Sequence, residues 1–379
     1  MSLGDLSGSH TFESFLDLLK VHHRDTGEEI RILAYVSDLE AKDLFNYMNR
    51  YPSFSIRQLG EIIQVRIQSG SDKDEPTEEW PEAKGYQDSL YFCHYNTTKN
   101  LLLCFTTETL EMAGRTMDRF ANHTSGIFPL WIHPMTLNAV RRQILADNPD
   151  SIISEFHARR FRVGDDQEVL RGEHIGRYFK YMADDGNFTL DEITKVYGVL
   201  PTSIVFNVLN ICKFRINHQG KFAFIYGNID FLFTIINDLL ARVLVTKKVV
   251  DRAKTEFIPI DMGKKQVKLA KVVPLDIVFS REVDFTEMED FLGSMSKDDF
   301  NFEILDSSMI PGSIHLSGTI VDHNKHSTFD ITGNSEKITL SPGVHTSFDS
   351  MLQFYKLITE WLDVEARVQT PQIVHQKLR

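Results

Sequence analysis

Residues 184–192 (Asp-Asp-Gly-Asn-Phe-Thr-Leu-Asp-Glu) combine oxygen-bearing side chains with a glycine, as a calcium-binding loop does. When Gly186 is aligned with the invariant glycine of such a loop, Glu192 takes the last position, which supplies a bidentate carboxylate. The first and third ligand positions then fall on Tyr181 and Ala183, which have no carboxylate. The pattern therefore predicts a turn that leads into a helix, and no calcium site.

Residues 322–326 (Asp-His-Asn-Lys-His) place two imidazoles three positions apart beside a carboxylate. A zinc site needs further ligands, and no convincing one stands nearby. We therefore interpret this cluster as the polar tip of a hairpin. The sequence also lacks the P-loop, dinucleotide-binding, H-E-x-x-H, C-x-x-C and G-x-S-x-G motifs. We predict no metal site, no cofactor and no motif-based catalysis, and an enzyme with a dispersed active site stays open as an alternative.

Cys93 and Cys104 stand at equal distances from a turn predicted at Thr98 and Lys99, so they should face each other on paired strands. With Cys212 the chain has three cysteines, too few for a disulfide framework and too scattered for a zinc site. A redox pair is one interpretation. We favour two small apolar residues on a buried sheet face, because thiols stay reduced inside cells.

A basic stretch between residues 242 and 271 opposes the charge of the whole chain, which is −12 at pH 7. Its cations are Arg242, Lys247, Lys248, Arg252, Lys254, Lys264, Lys265, Lys268 and Lys271. Residues 157–162 (His-Ala-Arg-Arg-Phe-Arg) form a second basic cluster. Such patches attract phosphate or acidic proteins, and a solvated face without a partner is the alternative. We predict that a nucleic acid or an acidic protein contacts Lys247, Lys248, Lys264 and Lys265.

Alternation along two predicted strands gives a second set of candidate binding residues. Ile63, Val65 and Ile67 on one strand, like Phe214 and Ile216 on another, should point toward covering helices. The residues between them would then share an open side of the sheet, where they could recognise a polar polymer or a peptide, or merely keep the protein soluble. These residues are Gln64, Arg66, Gln68, Lys213, Arg215 and Asn217.

The elements that position these residues recur along the chain. After a leading helix within residues 1–30, residues 31–150 (the first unit) show the order strand, helix, four strands, closing helix, with an acidic loop at 71–88. Residues 273–379 (the third unit) repeat that order, and residues 151–272 (the middle unit) are a looser copy. We predict an α+β fold of three tandem β-α-β(3-4)-α units with mostly antiparallel sheets, each covered by helices on one face. The closing helices are predicted at 107–120, 230–245 and 347–362.

Residues 189–205 allow a competing interpretation as a helix-turn-helix, with the hairpin at 214–226 as a wing. The second helix of that motif would contain Ile204, Val205 and Phe206, which favour strands and cannot hydrogen-bond to bases. We therefore predict a strand at 203–208.

The recurring order also resembles the repeat unit of the TATA-box-binding-protein fold. Residues 217–227 (Asn-His-Gln-Gly-Lys-Phe-Ala-Phe-Ile-Tyr-Gly) look most like the turn-strand-glycine segment that precedes a helix in that family. The resemblance implies a sheet face that is free to bind a ligand. It does not imply promoter DNA, because this chain has three units instead of two and is strongly acidic.

The length of 379 residues predicts two or three domains. No apolar run of about 18 residues and no secretory signal is present, so we expect a cytoplasmic protein without a membrane span. Together the patterns favour a non-catalytic binding or regulatory protein that uses open sheet faces and a local basic patch to contact a polar polymer or a protein partner. The alternatives are a DNA-binding regulator with a winged-helix middle domain and an enzyme with a dispersed active site.

Overall fold

The computed structural model describes residues 6–67, 89–161, 178–261, 266–295, 302–309 and 315–370. The acidic segment at 71–88 lies outside these residues. Within them the chain is an α+β protein with several antiparallel sheets, as the sequence predicts. None of the described helices is both long enough and apolar enough to cross a membrane.

The leading helix and the first unit follow the predicted order. The elements are α1 (Phe12–Thr26), β1 (Ile30–Ser37), α2 (Ala41–Arg50), β2 (Phe54–Leu59), β3 (Ile62–Ile67), β4 (Ser89–Asn96), β5 (Leu101–Thr106), α3 (Leu110–Ala113), α4 (Arg119–His123), β6 (Ile127–Pro129) and α5 (Pro134–Asp147). A π-helical segment, Gly114–Asp118, joins α3 to α4, so these three pieces form the predicted closing helix. The side chains of Thr11 and Thr109 cap α1 and α3 by accepting backbone N–H groups of the first turn.

The middle unit differs from a winged helix at its decisive segment. Its elements are β7 (Ile152–Arg160), β8 (Tyr178–Met182), α6 (Gly186–Tyr197), β9 (Val199–Val208), β10 (Cys212–Asn217), β11 (Lys221–Gly227), α7 (Ile229–Val250), β12 (Lys254–Asp261) and β13 (Gln266–Val273). Residues 203–208 are part of β9, and Ile204 and Phe206 lie in the core, so the predicted strand is confirmed. The second helix of a helix-turn-helix is therefore absent from this segment.

The third unit repeats the order of the first. Its elements are β14 (Leu275–Val278), α8 (Phe285–Ser294), β15 (Phe302–Met309), β16 (Leu316–Asp322), β17 (Ser327–Gly333), β18 (Lys337–Pro342), α9 (Phe348–Trp361) and β19 (Arg367–Gln369). Asp284 and Glu287 form a capping box that starts α8.

The order of the strands shows which units are alike. The first unit is ordered β2-β3-β4-β5-β1 and the third β15-β16-β17-β18-β14, so in both the initial strand pairs with the last one. The described strands of the middle unit run β11-β10-β9-β7-β8 instead. Because β1 also pairs with β11, the first and middle units share one eleven-stranded sheet. The prediction of one separate sheet for each unit is therefore wrong for these two units. The pairing of β1 with β11 satisfies backbone groups that would otherwise be exposed at the edge of each sheet.

The sheet of the first unit is covered on both faces. One face packs against α2 and the α3–α4 helix. The other packs against α1 and α7, with Phe15 of α1 lying 5.4 Å from the rings of both Phe92 and Phe105. All six residues of β5 are consequently buried. The expectation that helices cover only one face does not hold for this unit.

Lys325, in the turn between β16 and β17, fastens the third unit to the first. Its ammonium group donates to the carbonyl oxygens of Ala121, Thr124 and Ile127 at 2.6, 2.8 and 2.9 Å. Asp349 of α9 lies 3.0 Å away and neutralises the charge. The lysine thus adds a hydrogen bond to each of three carbonyl groups between the end of α4 and the start of β6, two of which also accept backbone N–H groups.

Candidate binding surface on the middle sheet

The sheet of the middle unit carries polar side chains on one face, although its central strand β9 is buried at every position except Asn207. The helices α5, α6 and α7 pack on the apolar face, through residues such as Leu137, Leu190 and Leu232. The residues of β10 alternate accordingly between buried and half-buried positions. The opposite side, which we call the open face, carries Glu155, His157, Lys180, Ser203, Asn207, Lys213, Arg215, Asn217 and Tyr226.

Strand register arranges these side chains in rows that cross the sheet. The longest polar row consists of Lys180, His157, Ser203, Asn217 and Lys221, one residue from each strand from β8 to β11. At its end, Lys221 pairs with Asp118 of the π-helical segment at 2.6 Å. Asp118 also accepts a hydrogen bond from Tyr35. This ion pair marks the border between the open face and the covered sheet of the first unit.

A second row contains an ion pair that crosses over an apolar residue. Arg215 and Glu155 both stand opposite Val205, on the strands to either side of it, and their side chains meet at 3.1 Å. The pair lies over Val205, which is only 3% exposed. Arg215 is therefore partly engaged before any ligand arrives.

Exposed aromatic rings lie at both margins of the open face. Tyr226 of β11 is 48% exposed, and Tyr178 of β8 is 71% exposed. The ammonium group of Lys213 lies 6.0 Å from the ring centre of Tyr226, whose hydroxyl donates to Asn207 at 3.2 Å. The guanidinium group of Arg159 lies 5.8 Å from the ring of Tyr178. Arg159 is already engaged, because its side chain is 13% exposed and lies 3.6 Å from Glu360 and 5.7 Å from the ring centre of Trp361, both on α9. At the Tyr226 margin, a ring and a lysine stand side by side, the combination that binds bases and phosphates of single strands.

The predicted strand residues fall into two groups. Lys213, Arg215 and Asn217 do share the open face. Gln64 is only 7% exposed, because it lies on the side of the first sheet that α1 covers, so the prediction that it occupies an open face is wrong. Arg66 on the same strand is exposed, and Gln68 lies outside the described residues.

The predicted basic stretch does not form one surface. Lys247 is 4% exposed, lies 2.8 Å from Asp251, and packs 4.3 Å from the ring centre of Phe348. The prediction of an exposed, partner-facing lysine is therefore wrong at this position. Lys248 is exposed on α7, while Lys264 and Lys265 lie outside the described residues. Lys268 and Lys271 are exposed on the hairpin of β12 and β13.

Two of the polar clusters occupy the predicted local structures. Residues 184–192 form a turn and the first half of α6, which begins at Gly186. Residues 322–326 form the turn between β16 and β17. There His323 contacts Glu303 at 2.8 Å, whereas Asp322 turns inward and accepts a hydrogen bond from Ser350.

The two cysteines of the first unit face each other as predicted. Cys93 pairs with Cys104 across β4 and β5, and the two Sγ atoms lie 3.1 Å apart as free thiols. Both are fully buried, and burial raises the pKa of Cys104 well above its ordinary value. The arrangement matches the interpretation as small apolar residues, because a buried protonated thiol is a poor nucleophile.

A family model matches a segment that runs from α5 at the end of the first unit into the middle unit. Residues 135–219 match the model of the AF_0896_M family middle domain. This segment includes β7, β9 and β10, which carry most of the open face. An uncharacterised protein of Archaeoglobus fulgidus is 20% identical over 296 residues, which cover 74% of this chain and 78% of that protein.

Sequence reasoning missed several members of the open face, namely Lys180, Ser203, Asn207 and Tyr226. Tyr226 and Lys213 stand opposite each other only because the register of β10 and β11 shifts after Lys213. A bulge of this kind has no simple sequence signature. Lys180 joins the face through the pairing of β8 with β7, across a connection whose length gives no register.

Proposed function

We propose that this protein binds single-stranded nucleic acid across the open face of its middle sheet. One observation carries the proposal: exposed aromatic rings flank a sheet face whose side chains include Lys180, Lys213 and Asn217. Bases of any sequence stack on aromatic side chains, and cations between the rings hold the phosphates.

The dimensions of the face suit an extended chain. Tyr178 and Tyr226 lie on β8 and β11, at opposite ends of the five strands β8-β7-β9-β10-β11. With neighbouring strands about 4.8 Å apart, the platform between them is about 19 Å wide. The register also offsets the rings from Leu200 to Asn207 along β9, about 23 Å, so they lie about 30 Å apart across the diagonal. A strand of several nucleotides can therefore contact both rings and the cations between them.

The local charge favours phosphate although the chain is acidic. Among the described residues, Lys180 and Lys213 have no acidic side chain within ion-pair distance. Arg215 can exchange its pairing with Glu155 for a phosphate, which accepts two parallel hydrogen bonds from a guanidinium group. Because the formal net charge of −12 repels nucleic acid at long range, binding should depend on these contacts and weaken steeply with salt.

The test is fluorescence anisotropy of a labelled 12-nucleotide single strand at two salt concentrations. Replacing Tyr226 by Ala should weaken binding by about 5- to 100-fold, the effect of one lost base–ring stack. The matched control is Tyr47→Ala, because Tyr47 is 50% exposed but lies on α2 of the first unit. A second pair compares Lys213→Gln with Lys42→Gln, whose lysine is exposed on the same distant helix.

Binding by the wild type that Tyr226→Ala and Lys213→Gln weaken, with both controls unchanged, supports the proposal. No binding at low salt contradicts it. Equal losses in Tyr226→Ala and Tyr47→Ala also contradict it, because they would place the ligand elsewhere.

A further inference from the structure

A cavity of about 300 Å³, the junction cavity, lies between the start of α5, the second half of α7, α9 and the segment that leads into β19. At about 30 Å³ per water molecule, this volume equals about ten waters. It falls at the small end of the range typical of ligand sites, about 300–1,000 Å³. The cavity is therefore large enough for a compact organic molecule and too small for a polymer.

The inner walls are apolar and firmly held. Val36, Phe128 and Leu352 are each at most 6% exposed, and the rings of Trp131 and Tyr355 meet edge to face with centres 5.7 Å apart. The Tyr355 hydroxyl donates to the carbonyl oxygen of Ala366 at 2.9 Å, so it braces the wall and does not serve as a free polar group. An apolar group of matching size would replace water in contact with these side chains.

The mouth of the cavity is positively charged. Arg242 and Arg367 are exposed lining residues, Lys247 lines the cavity from a buried position, and Glu365 is the acidic residue among the described lining residues. Arg242 is held by Asp238 at 3.0 Å, and Lys247 by Asp251. Arg367 is exposed, and within the described ranges it has no acidic side chain within 4 Å. It is thus the cation that is free to receive an anionic ligand.

The start of α5 adds to this preference for an anion. The Nδ1 atom of His133 caps the helix by accepting the N–H group of Met135 at 3.1 Å, which requires a neutral ring. Burial lowers the pKa of His133 to about 4, so the ring stays neutral at physiological pH. Met135 and Thr136 of the first turn line the cavity, and the N-terminal end of a helix favours negative charge.

Trp131 contributes the face of its ring to the cavity wall, while its polar atom stays buried. Its side chain lines the cavity and is 7% exposed, yet its Nε1 donor has no acceptor among the described residues. A buried donor without an acceptor is costly and rare in native proteins. Because the Nε1 atom itself is buried within the wall, it is a cost of the fold and is not a contact offered to a ligand.

We propose that the junction cavity binds a small organic carboxylate with a compact apolar body. The body packs against Trp131, Phe128 and Leu352, and the carboxylate meets Arg367 at the mouth. The site is separate from the open face of the middle sheet, and it does not depend on nucleic-acid binding. Because its walls come from the first, middle and third units, an occupant stabilises their association.

Isothermal titration calorimetry with benzoate tests the chemistry of the ligand. Benzamide has the same shape without the charge, and acetate has the charge without the apolar body. We expect benzoate to bind and both reference compounds to bind at least 3-fold more weakly. Equal affinities for benzoate and benzamide, or no benzoate binding, would overturn the proposal.

Variants test the place of binding. Val243→Phe puts a ring into the cavity from α7 and should abolish binding, while Arg367→Gln should weaken it by about 3- to 10-fold through loss of one charged contact. The matched control is Lys248→Gln, an exposed cation on α7 that does not line the cavity. Thermal unfolding without ligand shows whether each variant is folded. Unchanged benzoate affinity in folded Val243→Phe would show that the cavity is not the site.

Discussion

The first and middle units share one continuous sheet, but their strands meet different surroundings. In the first unit every residue of β5 is buried, because helices cover both faces. In the middle unit β10 alternates between buried and half-buried residues, because its helices pack on one face. The neighbouring strand β9 is buried at every position except Asn207, so the accessible part of this face is confined mainly to the strands on either side of β9. Membership of the same sheet therefore does not decide how exposed a strand is.

The third unit shows that strand order does not decide this difference either. It has the same strand order as the first unit, yet β17 alternates buried Phe329 and Ile331 with exposed Thr328, Asp330 and Thr332. The first unit is preceded by α1, which packs on its second face. In the third unit the element before the initial strand is the hairpin of β12 and β13. The leading helix, together with α7, thus covers the second face of the first sheet.

The largest effect is expected from breaking that cover. Phe15 of α1 is fully buried between Phe92 and Phe105, so Phe15→Ala should lower the free energy of unfolding by about 4 kcal/mol. Phe188→Ala is the matched control, because Phe188 is 81% exposed on α6, and it should change stability by less than about 0.5 kcal/mol. Urea unfolding measures both. A small effect of Phe15→Ala would mean that α1 is not a structural layer.

The sequence contains the signal for this cover, although the alternation rule missed it. The strand residues 101–106 (Leu-Leu-Leu-Cys-Phe-Thr) are apolar almost without interruption, which is typical of strands buried on both faces. Alternation in residues 212–217 (Cys-Lys-Phe-Arg-Ile-Asn) correctly predicted a half-covered sheet. Element order, closing helices and the strand at 203–208 were likewise predictable, because they depend on local periodicity.

What the sequence could not provide is contact between distant segments. The pairing of β1 with β11 joins residues about 190 positions apart, and no local pattern specifies it. Burial of Lys247 depends on Phe348 of α9, about 100 positions away. The junction cavity is assembled from all three units, so its lining residues carry no common motif.

A smaller decrease in the free energy of unfolding is expected at acidic pH, and it should originate in the turn between β10 and β11. His218 lies between β10 and β11, where its Nδ1–H donates to the carbonyl oxygen of Thr202 at 2.9 Å. Gly220 follows with φ +69°, and a Cβ there would lie 2.3 Å from the carbonyl oxygen of Leu130. The turn is therefore held closely against the segment after β6.

Burial, and then the nearby charge of Lys356, lower the pKa of His218 to about 4. The unfolded chain binds a proton near pH 6.5, so between these values the unfolded state binds more protons than the folded state. Stability therefore falls as pH decreases, by about 2 kcal/mol between pH 7 and pH 5 from this residue. In His218→Asn, whose amide can still donate to Thr202, that part of the pH dependence should disappear. An identical pH profile for wild type and variant in urea unfolding would contradict this assignment.

The smallest effect concerns the ion pair that crosses the open face. The side chains of Arg215 and Glu155 are 28% and 21% exposed, so water and salt reach both charges. A double-mutant cycle of Arg215→Gln and Glu155→Gln should give a coupling energy of about 0.5–1 kcal/mol, as for other solvent-accessible pairs. In 1 M NaCl, where the screening length is about 3 Å, the coupling should nearly vanish.

A buried pair would behave differently, because removing one partner would leave an uncompensated charge and cost about 3–5 kcal/mol with little salt dependence. A large coupling that salt does not reduce would therefore show that the face is covered in solution, and the difference between the middle and first units would be lost.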